Sequence, residues 1–239
     1  MKALDYKIPS DLDEAYDLLN SRKNATLLAG GLFIRLQKNT HPLLIDLNGL
    51  NLDYINEIKD GFIIGAMTTL RSLEKSNLPK AIVDSVKQIS GVGVRNMATI
   101  GGSICGRYPF SDINTALLAL DAYLVFYKNG KTSMTKFYKE GLIEKDILVE
   151  IYIKKPEFSA TKYFKKVYTD LSILNISMAD NRLAVGARPG KTIVIEDFNE
   201  ELIANIPFGD DYRASGEYRK AIFKALYTDL LQERSAYGS

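Results

Sequence analysis

The side chains that most often do chemistry are scarce in this chain. Its 239 residues include one cysteine, Cys105, and one histidine, His41. A single thiol forms no disulfide within the chain and cannot ligate an iron–sulfur cluster. A zinc site or a Ser-His-Asp triad would have to be built around one imidazole. His41 stands beside Pro42 in a stretch that reads as a surface loop. What the chain does offer is two glycine pairs. In Leu27-Leu28-Ala29-Gly30-Gly31-Leu32-Phe33-Ile34, a buried strand stops at a glycine pair and a helical turn follows. Glycine lets the backbone turn sharply and lets a ligand approach it closely. Free N–H groups at a helix start favour an anion such as phosphate. In Val94-Arg95-Asn96-Met97-Ala98-Thr99-Ile100-Gly101-Gly102-Ser103, the second pair lies between two hydroxyls that can bond phosphate oxygens. Asp112, just beyond, is a carboxylate that could accept hydrogen bonds from sugar-like hydroxyls. The plainer readings are a simple strand-to-helix turn for the first loop and a helix cap for Asp112. Two such loops suit a ligand with two phosphates. Gly91-Val92-Gly93-Val94-Arg95-Asn96 begins like a dinucleotide fingerprint, but Asn96 stands where the third glycine belongs. It also follows a helical pattern, where the motif requires a strand.

The elements around these loops alternate irregularly. Residues 10–20 read as a helix capped by Ser10, with Leu12, Ala15, Leu18 and Leu19 on one face. Residues 26–29 and 43–47 read as strands. Residues 55–65 carry a hairpin signal around Asp60-Gly61. Thr68 or Thr69 can cap a helix through Leu73, and a second helix runs over 79–89 with Pro79 near its first turn. The segment 91–106 shows little periodicity. Residues 114–120 are helical, 123–127 and 146–153 are strands, and 156–161 read as a linker. A β-rich stretch (171–178, 183–186) and a helix over 217–233 complete the chain. This mixture predicts an α+β fold with a boundary at 158/159.

Composition narrows the class. The chain is 46% apolar and 25% charged with a formal charge of +2, so a nucleic-acid footprint is not favoured. Lys162, Lys165 and Lys166 form the one short basic cluster. No stretch reaches the ~18 apolar residues of a membrane span, and the first residues lack the apolar core of a signal peptide. A cytoplasmic protein is expected, in which a cofactor supplies the difficult chemistry.

Ala98-Thr99-Ile100-Gly101-Gly102-Ser103, then Ser111-Asp112 and Leu117-Leu118-Ala119-Leu120-Asp121-Ala122, resembles the FAD-binding medium subunit of the molybdenum hydroxylases, the family of xanthine dehydrogenase and carbon monoxide dehydrogenase. Val94-Arg95-Asn96, Ala29-Gly30-Gly31 and Ser215-Gly216-Glu217-Tyr218-Arg219 fit the same pattern. The likeness runs from about residue 3 to residue 235. It implies a two-subdomain FAD-binding domain of the xanthine dehydrogenase/vanillyl-alcohol-oxidase-like type over 1–158, split near 55–60, and a smaller α+β domain over 159–239. By resemblance, residues 27–34 (Leu27, Leu28, Ala29, Gly30, Gly31, Leu32, Phe33, Ile34) and Thr99, Ile100, Gly101, Gly102 and Ser103 would hold the FAD pyrophosphate, mostly through backbone N–H groups. Asp112 would bond hydroxyls of the ribityl or nearby sugar chain. Ile89 and Leu148 would lie beside the flavin ring, and Lys162 (or Lys165 or Lys166) would approach it. Core packing for Ile89 and Leu148, and a solvated surface charge for Lys162, are the plainer readings. The resemblance further implies an iron–sulfur subunit and a molybdenum cofactor subunit as partners, with NAD as a possible acceptor and no catalytic acid or base in this chain. Two departures stand out: Leu32-Phe33 occupies the place of a small polar or acidic pair, and residue 106 is glycine where a polar residue is usual. A scaffold subunit that has lost FAD and a free-standing flavin oxidoreductase are the alternatives.

Overall fold

The computed structural model describes residues 2–237 and contains three principal sheets. The first is parallel, with strand order Tyr6–Lys7, Leu43–Asp46, Ala25–Leu28. Helix Leu12–Ser21 packs on it through Ala15 and Leu19, which meet Leu43 and Ile45. Its cap is Asp11, whose carboxylate accepts the Glu14 N–H at 2.8 Å. Ser10, the residue expected to cap, instead donates from its own N–H to the Glu14 carboxylate at 2.7 Å, so both ends of the turn are closed.

The second sheet is antiparallel, in the order Ile55–Ile58, Gly61–Gly65, Leu148–Lys154, Tyr123–Phe126, Gly130–Ser133. Its first two strands form the expected hairpin, with Ile58 opposite Gly61. Helices Leu70–Glu74, Lys80–Lys87 and Asp112–Ala119 cover it, and Ile64, Leu70, Ile82, Leu117, Leu124 and Ile151 form the largest core. The stretch 91–106 is two short helices, Val92–Met97 and Ile100–Gly106. Glycines at 91, 93, 101, 102 and 106 dilute the periodicity that would have marked them.

The third sheet is antiparallel, with strands Ser159–Phe164, Leu174–Ala179, Arg182–Gly186 and Ile193–Glu196 in sequence order. Residues 156–161 were expected to be a linker, but Ser159, Ala160 and Thr161 are paired and buried in its first strand. All six residues of Leu174–Ala179 are buried, because helix Gly216–Tyr237 covers one face and helix Asp112–Ala119 the other. His41 is buried as well. It lies in the two-residue strand Thr40–His41, parallel to Lys2–Ala3, with Nδ1 at 3.0 Å from the Thr26 hydroxyl. The expectation of a surface histidine fails because Pro42 is followed directly by the central strand of the parallel sheet. Among the described residues, no helix is long and apolar enough to cross a membrane.

Helix Asp112–Ala119 lies between two sheets, so its packing joins them. Leu117→Ala, at a position with no exposure, is expected to lower stability by about 2–5 kcal/mol. Urea denaturation followed by circular dichroism will measure this, and a loss below about 1 kcal/mol would contradict this placement of the helix.

Candidate cofactor site

The two glycine loops meet backbone to backbone. After strand Ala25–Leu28 the chain turns through Gly30 and Gly31, the latter at φ +68°, into a short 3-10 turn at Ile34–Leu36. A Cβ on Gly30 would sit 1.8 Å from the Met97 carbonyl oxygen, so only glycine allows this crossing. The second loop is pressed in the same way against the end of strand Gly61–Gly65. A Cβ on Gly101 would lie 2.7 Å from the Ala66 carbonyl oxygen, which accepts the Gly101 N–H at 2.9 Å. The Ile100 N–H donates to Thr68 and the Leu70 N–H to Ala98, which completes the seam.

A cleft of about 270 Å³ opens along this crossing. Of the residues singled out from sequence, Leu27, Ala29, Gly30, Gly31, Leu32, Phe33, Ile34, Thr99, Gly101, Gly102, Ser103 and Leu148 line it. Thus both glycine loops and one strand of the five-stranded sheet converge. A second cavity, of about 450 Å³, shares Ala29, Gly30, Met67 and Thr99 and adds the polar side chains of Asn48, Asn51, Asp53, Thr69 and Asn96. Among the described residues, no acceptor meets the backbone N–H groups of Gly30, Gly31, Leu32 or Phe33. Four successive amide donors at a turn are thus available to an anion.

The hydroxyls of the second loop are spent locally. Thr99 Oγ1 accepts the Gly102 N–H at 3.1 Å, and Ser103 Oγ donates to the Thr99 carbonyl at 3.0 Å. The remaining predicted residues lie outside the cleft lining. Leu28 sits in the parallel ladder beneath Gly31, and Ile100 is fully buried in the main core. Ile89 packs partly buried against that core. Asp112 is buried, with its carboxylate accepting from Ser172 Oγ and Asn175 Nδ2, both at 2.6 Å, and with Lys165 Nζ at 3.6 Å. Burial pushes its carboxyl above the ordinary carboxylate range, against the opposing pull of Lys165 and the two hydrogen bonds. Lys165 also donates to the Gln88 carbonyl at 2.6 Å. Lys162 reaches the other way, to Glu233 on the terminal helix at 2.7 Å.

Sequence reasoning did not place Gln37, Leu47, Ala66, Met67, Ala98, Cys105 or Tyr108 among the cofactor-binding residues, and they too line the cleft. Most are apolar residues that only tertiary proximity brings there. Arg95 carried a clearer signal, as a charged residue among glycines. It is buried and positions the second loop, donating from Nε to Glu74 at 2.9 Å and from Nη1 to the carbonyls of Ile89 and Ser90 at 3.1 and 2.7 Å. Burial works to raise the Glu74 carboxyl, but Arg71 and Arg95 outweigh it and hold it below its usual range.

Amide donors beside a largely apolar cleft, on this three-sheet α+β scaffold, suit a ligand that joins phosphate to an apolar ring, and the comparisons give its class: a flavin-dependent oxidoreductase subunit. The chain belongs to the family described as the FAD binding domain in molybdopterin dehydrogenase, which matches residues 2–154. It is 29% identical, over an alignment 250 positions long, to the uncharacterized protein YgfM of Escherichia coli strain K12, covering 96% of both chains. It is 25% identical, over an alignment 279 positions long, to the xanthine dehydrogenase FAD-binding subunit of Escherichia coli O157:H7, covering 97% of this chain and 96% of that one. Its fold superposes on carbon monoxide dehydrogenase from Hydrogenophaga pseudoflava with a TM-score of 0.83, over 98% of this chain and 97% of that one at 24% identity. The α+β architecture expected from the resemblance is therefore the observed one, and the cofactor is FAD. The residues present fit that group, since the unpaired N–H groups of 30–33 offer donors for phosphate oxygens and the cleft beside them is mostly apolar.

Gly30→Ala drives a methyl group into the Met97 carbonyl, so it is expected to cost about 3 kcal/mol or more, the upper end for overpacking. FAD retention should fall with it, read as the flavin-to-protein ratio after gel filtration. For the Arg95–Glu74 pair the sign follows from a depressed carboxyl. Its stabilisation is fully present above the unfolded value of about 4.3 and is lost as pH falls through the lower folded value. Thermal melting between pH 6 and pH 3 should therefore fall more steeply for wild type than for Glu74→Gln. Parallel curves would exclude the pair as a source of acid sensitivity.

Proposed function

We propose that this chain is the flavin-carrying relay subunit of a molybdenum hydroxylase complex. In this reading it receives electrons from an iron–sulfur partner, itself reduced by a molybdenum cofactor partner, and passes them to NAD or another acceptor. Residues 1–158 form the cofactor-binding part and 159–239 a supporting domain. The observation that carries the reading is the run of N–H groups at Gly30–Phe33 without an acceptor among the described residues, in a loop that lines one cleft together with the second glycine loop. Bound FAD supplies reversible redox chemistry between one- and two-electron partners. The chain's residues hold, orient and shield it. The Gly30–Phe33 backbone takes the diphosphate, Leu148 supplies an apolar wall, and Asp112, Ile89 and the buried Lys165 support the loops from behind. Lys162, tied to Glu233, fixes the terminal helix.

The alternatives draw less support. The cleft lining contains no carboxylate, histidine or lysine among the described residues, as a free-standing oxidoreductase with its own acid–base chemistry would require. A scaffold that has lost FAD was motivated by Leu32-Phe33, but those residues keep their backbone N–H groups free, and only the backbone is needed.

The test is spectroscopic. The purified chain is expected to show bands near ~370 and ~450 nm and to release FAD, not FMN, on heating. Photoreduced protein mixed anaerobically with NAD should regain its oxidised spectrum and form NADH. Colourless protein that takes up no added FAD would end the reading, and reduced protein inert to NAD would move the acceptor to another class.

A further inference from the structure

We propose that Phe33 and Tyr108 form an aromatic clamp that closes on a planar ring of the bound dinucleotide, a role that rests on the FAD reading. One ring comes from the first glycine loop and the other from the segment after helix Ile100–Gly106, and both line the same cleft, with centroids 4.8 Å apart and planes tilted by 35°. Tyr108 is the fixed jaw. Phe110 stacks behind it at 5.2 Å and 17°, and its ring lies over Gly106, where an added Cβ would stand 2.6 Å from Tyr108 Cε2. Arg107, left-handed at φ 46°, ends helix Ile100–Gly106 and turns the chain back so that the Tyr108 ring lies over it. A side chain at 106 would have to displace the Tyr108 ring. Phe33 is the movable jaw: it is 47% exposed and directly follows the glycine turn. Its own N–H belongs to the run of amide donors available to an anion, so a ring joined to a diphosphate held there comes within reach of both aromatics.

A ring sandwiched between the two needs about 7 Å from jaw to jaw, two contact distances of about 3.5 Å. Phe33 must swing outward to admit it, and its exposure leaves space to do so. Stacking of this kind tolerates any heteroaromatic face, which both the isoalloxazine and the adenine of FAD present. The Tyr108 hydroxyl has no hydrogen-bond partner among the described residues and can meet a polar ring edge or a sugar hydroxyl.

The experiment titrates flavin-stripped full-length chain with FAD, FMN and ADP by calorimetry, after circular dichroism and melting show that each variant folds. Tyr108→Ala and Phe33→Ala are each expected to weaken FAD by about tenfold, while Tyr108→Phe stays within about threefold because stacking is kept. Gly106→Ala, which pushes the ring aside without removing it, should weaken FAD as well. A parallel loss for FMN assigns the clamp to the flavin ring, and a parallel loss for ADP assigns it to adenine; either supports the proposal. If wild type binds FAD and either alanine variant binds it equally well or more tightly, the clamp is overturned and the FAD reading stands. If wild type binds none of the three ligands, both fall together.

Discussion

The structure depends on a contact that involves no side chain. Gly30 lies against the Met97 carbonyl closely enough that a single methyl group would occupy the carbonyl's own volume. One partner belongs to the parallel sheet and the other to the short helices covering the antiparallel sheet. The crossing therefore sets how the two halves of the cofactor site face each other. Gly101 repeats the device one layer deeper, against Ala66. Because both contacts are backbone to backbone, the spacing across the cleft is set by van der Waals limits, which are steep, and not by rotamers, which are soft. A site that must present N–H groups to a ligand gains from this, since its donors are held by the same atoms that limit their approach.

Buried charges then fix what the glycines leave free. The short helix Val92–Met97 has few apolar residues to anchor it, and Arg95 takes over by joining Glu74 to the carbonyls of Ile89 and Ser90. A buried guanidinium with its partners in place costs little, whereas breaking the set leaves an uncompensated charge. Asp112 acts similarly at the other end of the second loop. Its contacts with Ser172, Asn175 and Lys165 all lead to the third sheet or the strand-end segment beside it. The third sheet thereby braces the helix that begins immediately after the loop. Arg219, fully buried at the start of the terminal helix and bonded to Asp211 at 2.6 Å, closes that sheet's far side.

Much of this was legible in sequence where a rule ties residue type to backbone shape. Both glycine pairs, the Asp60-Gly61 hairpin and the terminal helix follow from such rules. The cap of the first helix was displaced by one residue, since Ser10 and Asp11 are both good caps and only the Glu14 side chain decides between them. The helices at 92–106 were hidden because glycine removes the apolar stripe that periodicity relies on. His41 was misjudged because burial depends on the parallel strand it joins, a partner 38 residues away in Ala3. Of the lysines that the resemblance brings toward the flavin, Lys165 is buried against Asp112 and Lys162 meets a carboxylate on a helix that begins 54 residues later, pairings that no local pattern in the sequence marks.

If the first loop holds the diphosphate through its backbone, as proposed, Leu32-Phe33 is compatible with that role. A phosphate oxygen bonded by amide hydrogens is indifferent to the side chains those residues carry, provided the turn keeps its shape. A small polar or acidic pair at those positions would add side-chain contacts to an edge already supplied with four amide donors. Leu32 and Phe33 leave those donors without an acceptor among the described residues and make this part of the lining apolar. Phe33 goes further by meeting Tyr108, just past the helix that begins in the second loop, so the two segments that cross through their glycines meet a second time through their rings. Among the described residues the lining holds no carboxylate, histidine or lysine, and its largest share is apolar. With FAD as the cofactor the redox chemistry is the flavin's, and on the proposed reading the protein's contribution lies in holding it and in the polarity around its rings.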